Sequence, residues 1–180
     1  MGRAKMNIIK GQILLAAIAV AALIAAGGWY QACSTLGGVR AQVTVGELQP
    51  IATLVKESRS LLQELESESF AGKDLGILES YLAKIRRDGV GKHADMKQRL
   101  DALAENDTAI VTLLKAYSPH ARTVAFIAQG DKFRNYAAAW RDRWNSVMEL
   151  FMAGGNYPGA SAPFPVGFSA AVEAEIAAAK

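Results

Sequence analysis

An uncharged run of residues lies close to the N-terminus of this chain. Residues 13–30 read ILLAAIAVAALIAAGGWY, and none of them carries a charge. A bilayer core of about 30 Å needs roughly 20 apolar residues in a helix, and Lys10 can extend its long side chain toward the headgroups. Trp29 and Tyr30 stand at the other end, where interfacial aromatic residues are enriched. We therefore predict a single transmembrane anchor over 13–30, with Lys10, Trp29 and Tyr30 at the membrane interfaces.

The charges around this run predict its orientation. Arg3, Lys5 and Lys10 precede it, whereas all 17 acidic residues of the chain follow Tyr30. Basic residues beside a membrane helix favour the cytoplasmic side. We expect a cytoplasmic tip over residues 1–12 and a periplasmic domain, held at the inner membrane. The other 17 of the 20 Lys and Arg residues balance the acidic ones, so no nucleic-acid partner is expected for this neutral domain.

Two other interpretations of the N-terminus remain. A basic start, an apolar stretch and the small residues Ala25, Ala26 and Gly27 also fit a cleaved signal peptide, although the run exceeds the roughly 7–15 residues of a signal core. Acylation of Cys33 is disfavoured, because Tyr30 stands where a lipoprotein signal has an aliphatic residue. The uncleaved anchor is the favoured interpretation.

Small residues recur along one face of the predicted anchor. Ala17, Ala21 and Ala25 are four residues apart, which places them one above another on a helix. A smooth face of this kind permits close packing against another membrane helix. The alternative is that the three positions only reflect the abundance of alanine in the chain.

Beyond the anchor, apolar residues recur at intervals of three and four, which is typical of helices with one buried face. The stripes are Ile51, Val55, Ser58, Leu62 and Leu65; Leu75, Leu78, Leu82 and Ile85; and Phe133, Ala137, Trp140, Trp144, Val147 and Phe151. Residues 31–46 contain two adjacent glycines and are predicted to be a flexible tether. Residues 47–154 are predicted to form an antiparallel bundle of about four helices, so that the fold is all-α.

The breaks between the predicted helices come from proline and glycine. Pro50 suits the first turn of the first helix, and Pro119 that of a segment capped by Ser118. Gly130 is expected to end this segment, and Asp131 to cap the next helix. Gly154 is expected to end the last helix of the bundle.

The clearest stripe has a carboxylate within it. The intervals alternate between four and three through Met96, Leu100, Leu103, Asp107, Ile110, Leu114 and Tyr117. Because a buried carboxylate needs a partner, one interpretation makes Asp107 a ligand-contacting or register-setting residue. The favoured interpretation moves the buried seam to Ala104 and Val111 and leaves Asp107 at its edge, since carboxylates are seldom fully buried.

Residues 155–180 are predicted to be an irregular tail that ends in a short helix over 170–179. Prolines and glycines prevent regular structure in the first part of this tail. Tyr157, Phe164 and Phe168 are large apolar side chains that can either cover the end of the bundle or dock in another subunit. These three residues are our predicted partner-binding residues.

The sequence contains no recognised motif for catalysis, for a cofactor or for a metal. His93 and His120 lie near opposite ends of the third predicted helix, too far apart to share an ion. We therefore predict no catalytic, cofactor-binding or metal-binding residue. The expected function is that of a non-enzymatic, single-pass subunit of a bacterial-type envelope assembly, which binds other envelope proteins or forms a homo-oligomer.

A ligand-sensing bundle is the alternative. A basic tip, one membrane helix and a periplasmic four-helix bundle resemble the front half of a bacterial chemoreceptor in architecture, without a shared motif. This resemblance implies a small-molecule ligand. The sequence shows neither a second membrane helix nor a cytoplasmic signalling segment, so a sensor of this kind would signal through a partner.

Overall fold

The predicted stripes lie on α-helices throughout the part of the chain that the computed structural model describes, which is residues 45–69, 76–156 and 163–180. Helix α1 covers residues 45–68, and four more α-helices follow in these ranges. They are α2 (Ile77–Asp88), α3 (Ala94–Tyr117), α4 (Val124–Ala153) and α5 (Phe168–Ala179). No strand occurs among the described residues, so the all-α prediction is confirmed for them.

The predicted anchor lies outside the described residues, and so do its interface and packing positions. Among the helices of the described ranges, none has both the length and the apolar character that spanning a membrane requires. The described residues belong to one unit, Thr44–Lys180. Of the predicted tether over 31–46, only its last two residues are described, and they are helical. Pro50 therefore stands inside α1 rather than in its first turn.

The directions of the helices follow from pairs of side-chain contacts. Helices α3 and α4 are antiparallel, because Trp144 donates to Asp101 while Arg134, earlier in α4, reaches the Leu114 carbonyl late in α3. The pairs Ser58–Asp107 and Glu68–Arg99 make α1 antiparallel to α3. The pairs Phe133–Phe168 and Thr123–Glu175 make α4 antiparallel to α5. The pairs Tyr81–Trp144 and Arg86–Leu150 make α2 parallel to α4. The antiparallel α1–α3 pair departs from the predicted antiparallel bundle, because helices two apart along the chain run parallel when directions alternate strictly.

Helix α4 runs unbroken where two segments were predicted. Gly130 lies buried inside it, where a Cβ atom would stand 3.5 Å from Leu114 Cδ2. Glycine lowers helix stability by about 1 kcal/mol relative to alanine, and packing against α3 outweighs this. Thr123, not Asp131, caps the helix, since its hydroxyl accepts from the Phe126 N–H at 3.2 Å. The predicted breaks at Gly130 and Asp131 are therefore wrong.

Gly154 ends α4 as predicted, in the left-handed region with φ of +72°. We expect Gly154→Ala to lower the free energy of unfolding by about 1–2 kcal/mol, because an L-residue is strained there. Gly91→Ala is the control, since nothing lies within 4 Å of an added Cβ and its φ is unremarkable. Urea unfolding of both variants measures the difference, and equal effects would contradict this account of the helix end.

Candidate functional site

Asp107 is the most unusual side chain of the bundle interior. Only 2% of its surface is exposed, while Ala104 and Val111 on the neighbouring face of α3 are half-buried. The favoured expectation, in which the seam shifts and leaves Asp107 at the edge, is therefore wrong. The physical reason is that apolar residues continue the same spacing on both sides of Asp107, and their burial outweighs the penalty for one carboxyl group.

The carboxyl group of Asp107 has few partners. The Ser58 hydroxyl of α1 donates to Oδ1 at 3.5 Å, which is the outer limit of a hydrogen bond. The Oδ2 atom has no hydrogen-bond partner, and neither has the buried hydroxyl of Tyr136 on α4. Tyr136 acts electrostatically on Asp107, yet the two groups do not reach normal hydrogen-bond geometry. We call Ser58, Asp107 and Tyr136 the Asp107 cluster.

Protonation of the Asp107 cluster is governed by burial. Burial raises the pKa of Asp107 to about 7, against the smaller opposing effects of the Ser58 and Tyr136 hydroxyls. No ion pair to Asp107 occurs within the described ranges. Burial also raises the pKa of Tyr136, with Asp107 adding to the effect. Near neutral pH the phenol therefore keeps its proton, whereas the carboxyl group is divided between its neutral and ionised forms.

Glu175 of α5 is also fully buried, but its surroundings are the opposite of those around Asp107. Its Oε1 accepts from the Tyr117 hydroxyl at 3.0 Å and from the Arg122 backbone N–H at 2.5 Å. Its Oε2 accepts from the Thr123 backbone N–H at 2.8 Å and from the Thr123 hydroxyl at 2.6 Å. Burial raises the pKa of Glu175, but these hydrogen bonds outweigh it and lower the pKa overall. The carboxylate therefore fastens α5 to the start of α4.

A shallow groove of about 530 Å³ separates α3 from α4 on the surface. Trp144 lines it, and its indole N–H donates to Asp101 at 3.1 Å. Lys97 pairs with the same carboxylate at 2.6 Å, so both carboxylate oxygens are engaged. Glu105 and Arg141 also line the groove and are exposed. Because the groove is open to solvent, it is a weaker candidate site than the Asp107 cluster.

The predicted partner-binding residues of the tail lie against the bundle where the structure describes them. Phe168 is fully buried and its ring stacks on Phe133 with 4.6 Å between centroids. Phe164 is half-buried and lies edge-on to Phe133 and Tyr136. Phe168 thus offers no surface to a partner, because the aromatic stripe of α4 needs apolar cover. Tyr157 lies outside the described residues.

Sequence reasoning missed Glu175 and Tyr136. Glu175 is one of two glutamates in an alanine-rich helix, and no spacing distinguishes it from Glu173 two residues earlier. Tyr136 follows Phe133 by three residues, so a wider buried face on α4 would have included it. Asp107 was found because it interrupts an otherwise apolar stripe.

No protein-family model matches this chain, and no similar protein was found among curated proteins or solved structures.

Proposed function

We propose that the chain is a non-enzymatic, single-pass membrane subunit of a bacterial-type envelope assembly, and that its helical domain binds partner proteins. The uncharged run over 13–30 and the basic residues before it support the anchor and its orientation. The helical domain that follows has its own buried core, as expected of a domain presented by an anchor. The observation that supports partner binding is that α4 exposes apolar residues in two neighbouring pairs.

These exposed residues form two pairs on α4. Met148 and Met152 are four residues apart, so they lie on one face, and Met152 is 80% exposed. Val124 and Ile127 are three residues apart at the other end of the helix, and Val124 is 83% exposed. Methionine adapts to irregular apolar partners and is frequent at protein-binding surfaces. The Met148–Met152 pair is therefore our first candidate contact for another protein.

We expect the double substitution Met148→Ser and Met152→Ser to reduce partner recovery at least tenfold, with little change in stability. The reason is that both side chains are exposed and their removal leaves the core intact. The measurement is a mild-detergent pull-down of the full chain from its native membranes, with quantitative mass spectrometry. Val124→Ser with Ile127→Ser tests the second pair in the same way.

Asp142→Ser with Glu149→Ser is the matched control, because both residues are exposed on the same helix. Partners should be recovered with this control as with the unmodified chain. If the unmodified chain is recovered without other proteins, the hetero-complex is overturned. If both apolar double variants recover the same amount of partner proteins as the unmodified chain, the role of these pairs is overturned. Extraction of the unmodified chain from membranes by alkaline carbonate would separately overturn the anchor.

Ligand sensing is the second candidate function, and the Asp107 cluster favours it. A carboxyl group at the centre of a bundle, with one oxygen unpartnered, is able to respond to a bound molecule. Such a ligand should raise the melting temperature of the full chain. A screen in which neither a small molecule nor a change of pH alters the melting temperature would count against this second candidate.

A further inference from the structure

The Asp107 cluster lies where three helices meet. Asp107 is on α3, Ser58 is on α1 and Tyr136 is on α4, and all three side chains are buried. Tyr136 also stacks on Trp140, whose indole nitrogen is buried without a hydrogen-bond partner. Helix packing here brings together polar atoms that remain largely unsatisfied, whereas most buried polar atoms in proteins are hydrogen-bonded.

The charges around the cluster do not compensate an ionised Asp107. From α1 the facing group is the neutral Ser58, and from α4 it is Tyr136, which can only become negative. The exposed Glu66 of α1, also an acid, acts on Tyr136 and raises its pKa further. On α3 itself, the carboxylate of Asp101 is paired with Lys97. An ionised Asp107 would thus be a buried anion without a cation, stabilised only by the nearby hydroxyls of Ser58 and Tyr136.

The two protonation states differ in what they require of the three helices. A neutral carboxyl group adds no charge to the interior and gains an O–H donor, for which the Tyr136 oxygen is a nearby acceptor. An ionised group loses that donor and must be desolvated without a cation. Separation of α1 or α4 from α3 would admit water to the anion. The neutral form therefore favours the packed bundle, and the ionised form favours a looser one.

We propose that the Asp107 cluster is a proton-binding site that controls how firmly α1, α3 and α4 pack together. The proton is then the ligand of the sensing candidate, on which this proposal rests for its biological role. Acid tightens the three-helix junction and neutral to alkaline conditions loosen it. A partner that contacts α1 or α4 would meet two different states of the domain.

The expected pH dependence has a defined sign. The pKa of Asp107 is about 7 in the folded chain, against an ordinary value of 3.8. Because the folded state holds the proton more tightly, stability from this group is fully present below about pH 4 and is lost as the pH rises toward 7. The unfolding equilibrium constant should increase about tenfold per pH unit over this interval and level off above about pH 7.

The test is urea unfolding of the full chain in mild detergent at several pH values between 5 and 8, with tryptophan fluorescence as the signal. Asp107→Asn keeps the shape of the neutral acid and removes its titration. Glu105→Gln is the matched control, a carboxyl-to-amide change at an exposed position of the same helix. We expect the unmodified chain and Glu105→Gln to lose stability between pH 5 and 7, and Asp107→Asn to lose much less.

A flat profile for the unmodified chain, or an unchanged slope in Asp107→Asn, would overturn the proton site. If Asp107→Asn does not fold, titration of the carboxyl carbon of Asp107 by nuclear magnetic resonance in the unmodified chain decides instead. A midpoint near 4 would overturn the proposal, and a midpoint near 7 would support it. Partner capture by the Met148–Met152 pair is measured at a single pH, so its failure is distinguishable from failure of the proton site.

Discussion

Glu175→Ala is expected to lower the free energy of unfolding by about 3–5 kcal/mol, because hydrogen bonds to a charged group each contribute roughly 1.5–3 kcal/mol and buried donors are left unpaired. The carboxylate accepts all four hydrogen bonds from Tyr117, Arg122 and Thr123. Its removal also deprives the start of α4 of a favourable negative charge. Helix α5 should then detach more often from the bundle.

Urea unfolding at pH 7 measures this loss, and hydrogen exchange of the amides of α5 shows where the structure opens. Glu173→Ala is the matched control, because Glu173 is exposed on the same helix. It should change stability by less than about 0.5 kcal/mol. Equal stability of the two variants would contradict the fastening role of Glu175.

The same carboxylate predicts a loss of stability in acid. Because the pKa of Glu175 is lowered in the folded chain, its contribution is present above the ordinary value of 4.5 and is lost as the pH falls through the folded value. Glu175→Gln should weaken this acid dependence. The effect is opposite in sign to that of Asp107, and it lies below the pH interval used for the proton site.

Phe168→Ala is expected to cost about 3–5 kcal/mol of stability, the usual range for removing a buried phenylalanine. Its ring is fully buried against Phe133, so the substitution leaves a cavity at the junction of α4 and α5. Thermal or urea unfolding of the full chain measures the loss. The result distinguishes a core residue from the partner contact that the sequence had suggested.

Val166→Ala is the control for this substitution, since Val166 lies two residues away and is 85% exposed. We expect a change of less than about 0.5 kcal/mol for it. If Phe168→Ala instead keeps full stability and abolishes partner capture, Phe168 contacts a partner. Its side chain must then leave its buried position when the partner binds.

Much of the helical architecture was predictable from the sequence, and particular residues show why. Periodicity depends on local geometry, so the stripe from Met96 to Tyr117 correctly indicated α3. The glycine at 154 ended α4 because few other residues adopt its backbone conformation. The final helix was predicted over 170–179 and begins two residues earlier, at Phe168.

The prediction was poorer wherever a local signal competed with packing. Gly130 and Asp131 resemble a helix break, but α4 continues through both, and Gly130 is buried on the side that faces Leu114 of α3. Local propensity amounts to about 1 kcal/mol at a single residue, which the burial of one large side chain exceeds.

The sequence by itself determined that the bundle is helical and which residues form the apolar stripes of α1 to α4, because both follow from spacing along one segment. Only the tertiary structure decided that Asp107 stays inside with few partners, that Glu175 is satisfied by four hydrogen bonds, and that Phe168 packs on Phe133. Each of these depends on residues that are distant along the chain. Their meeting is set by the packing of whole helices, which no single stripe specifies.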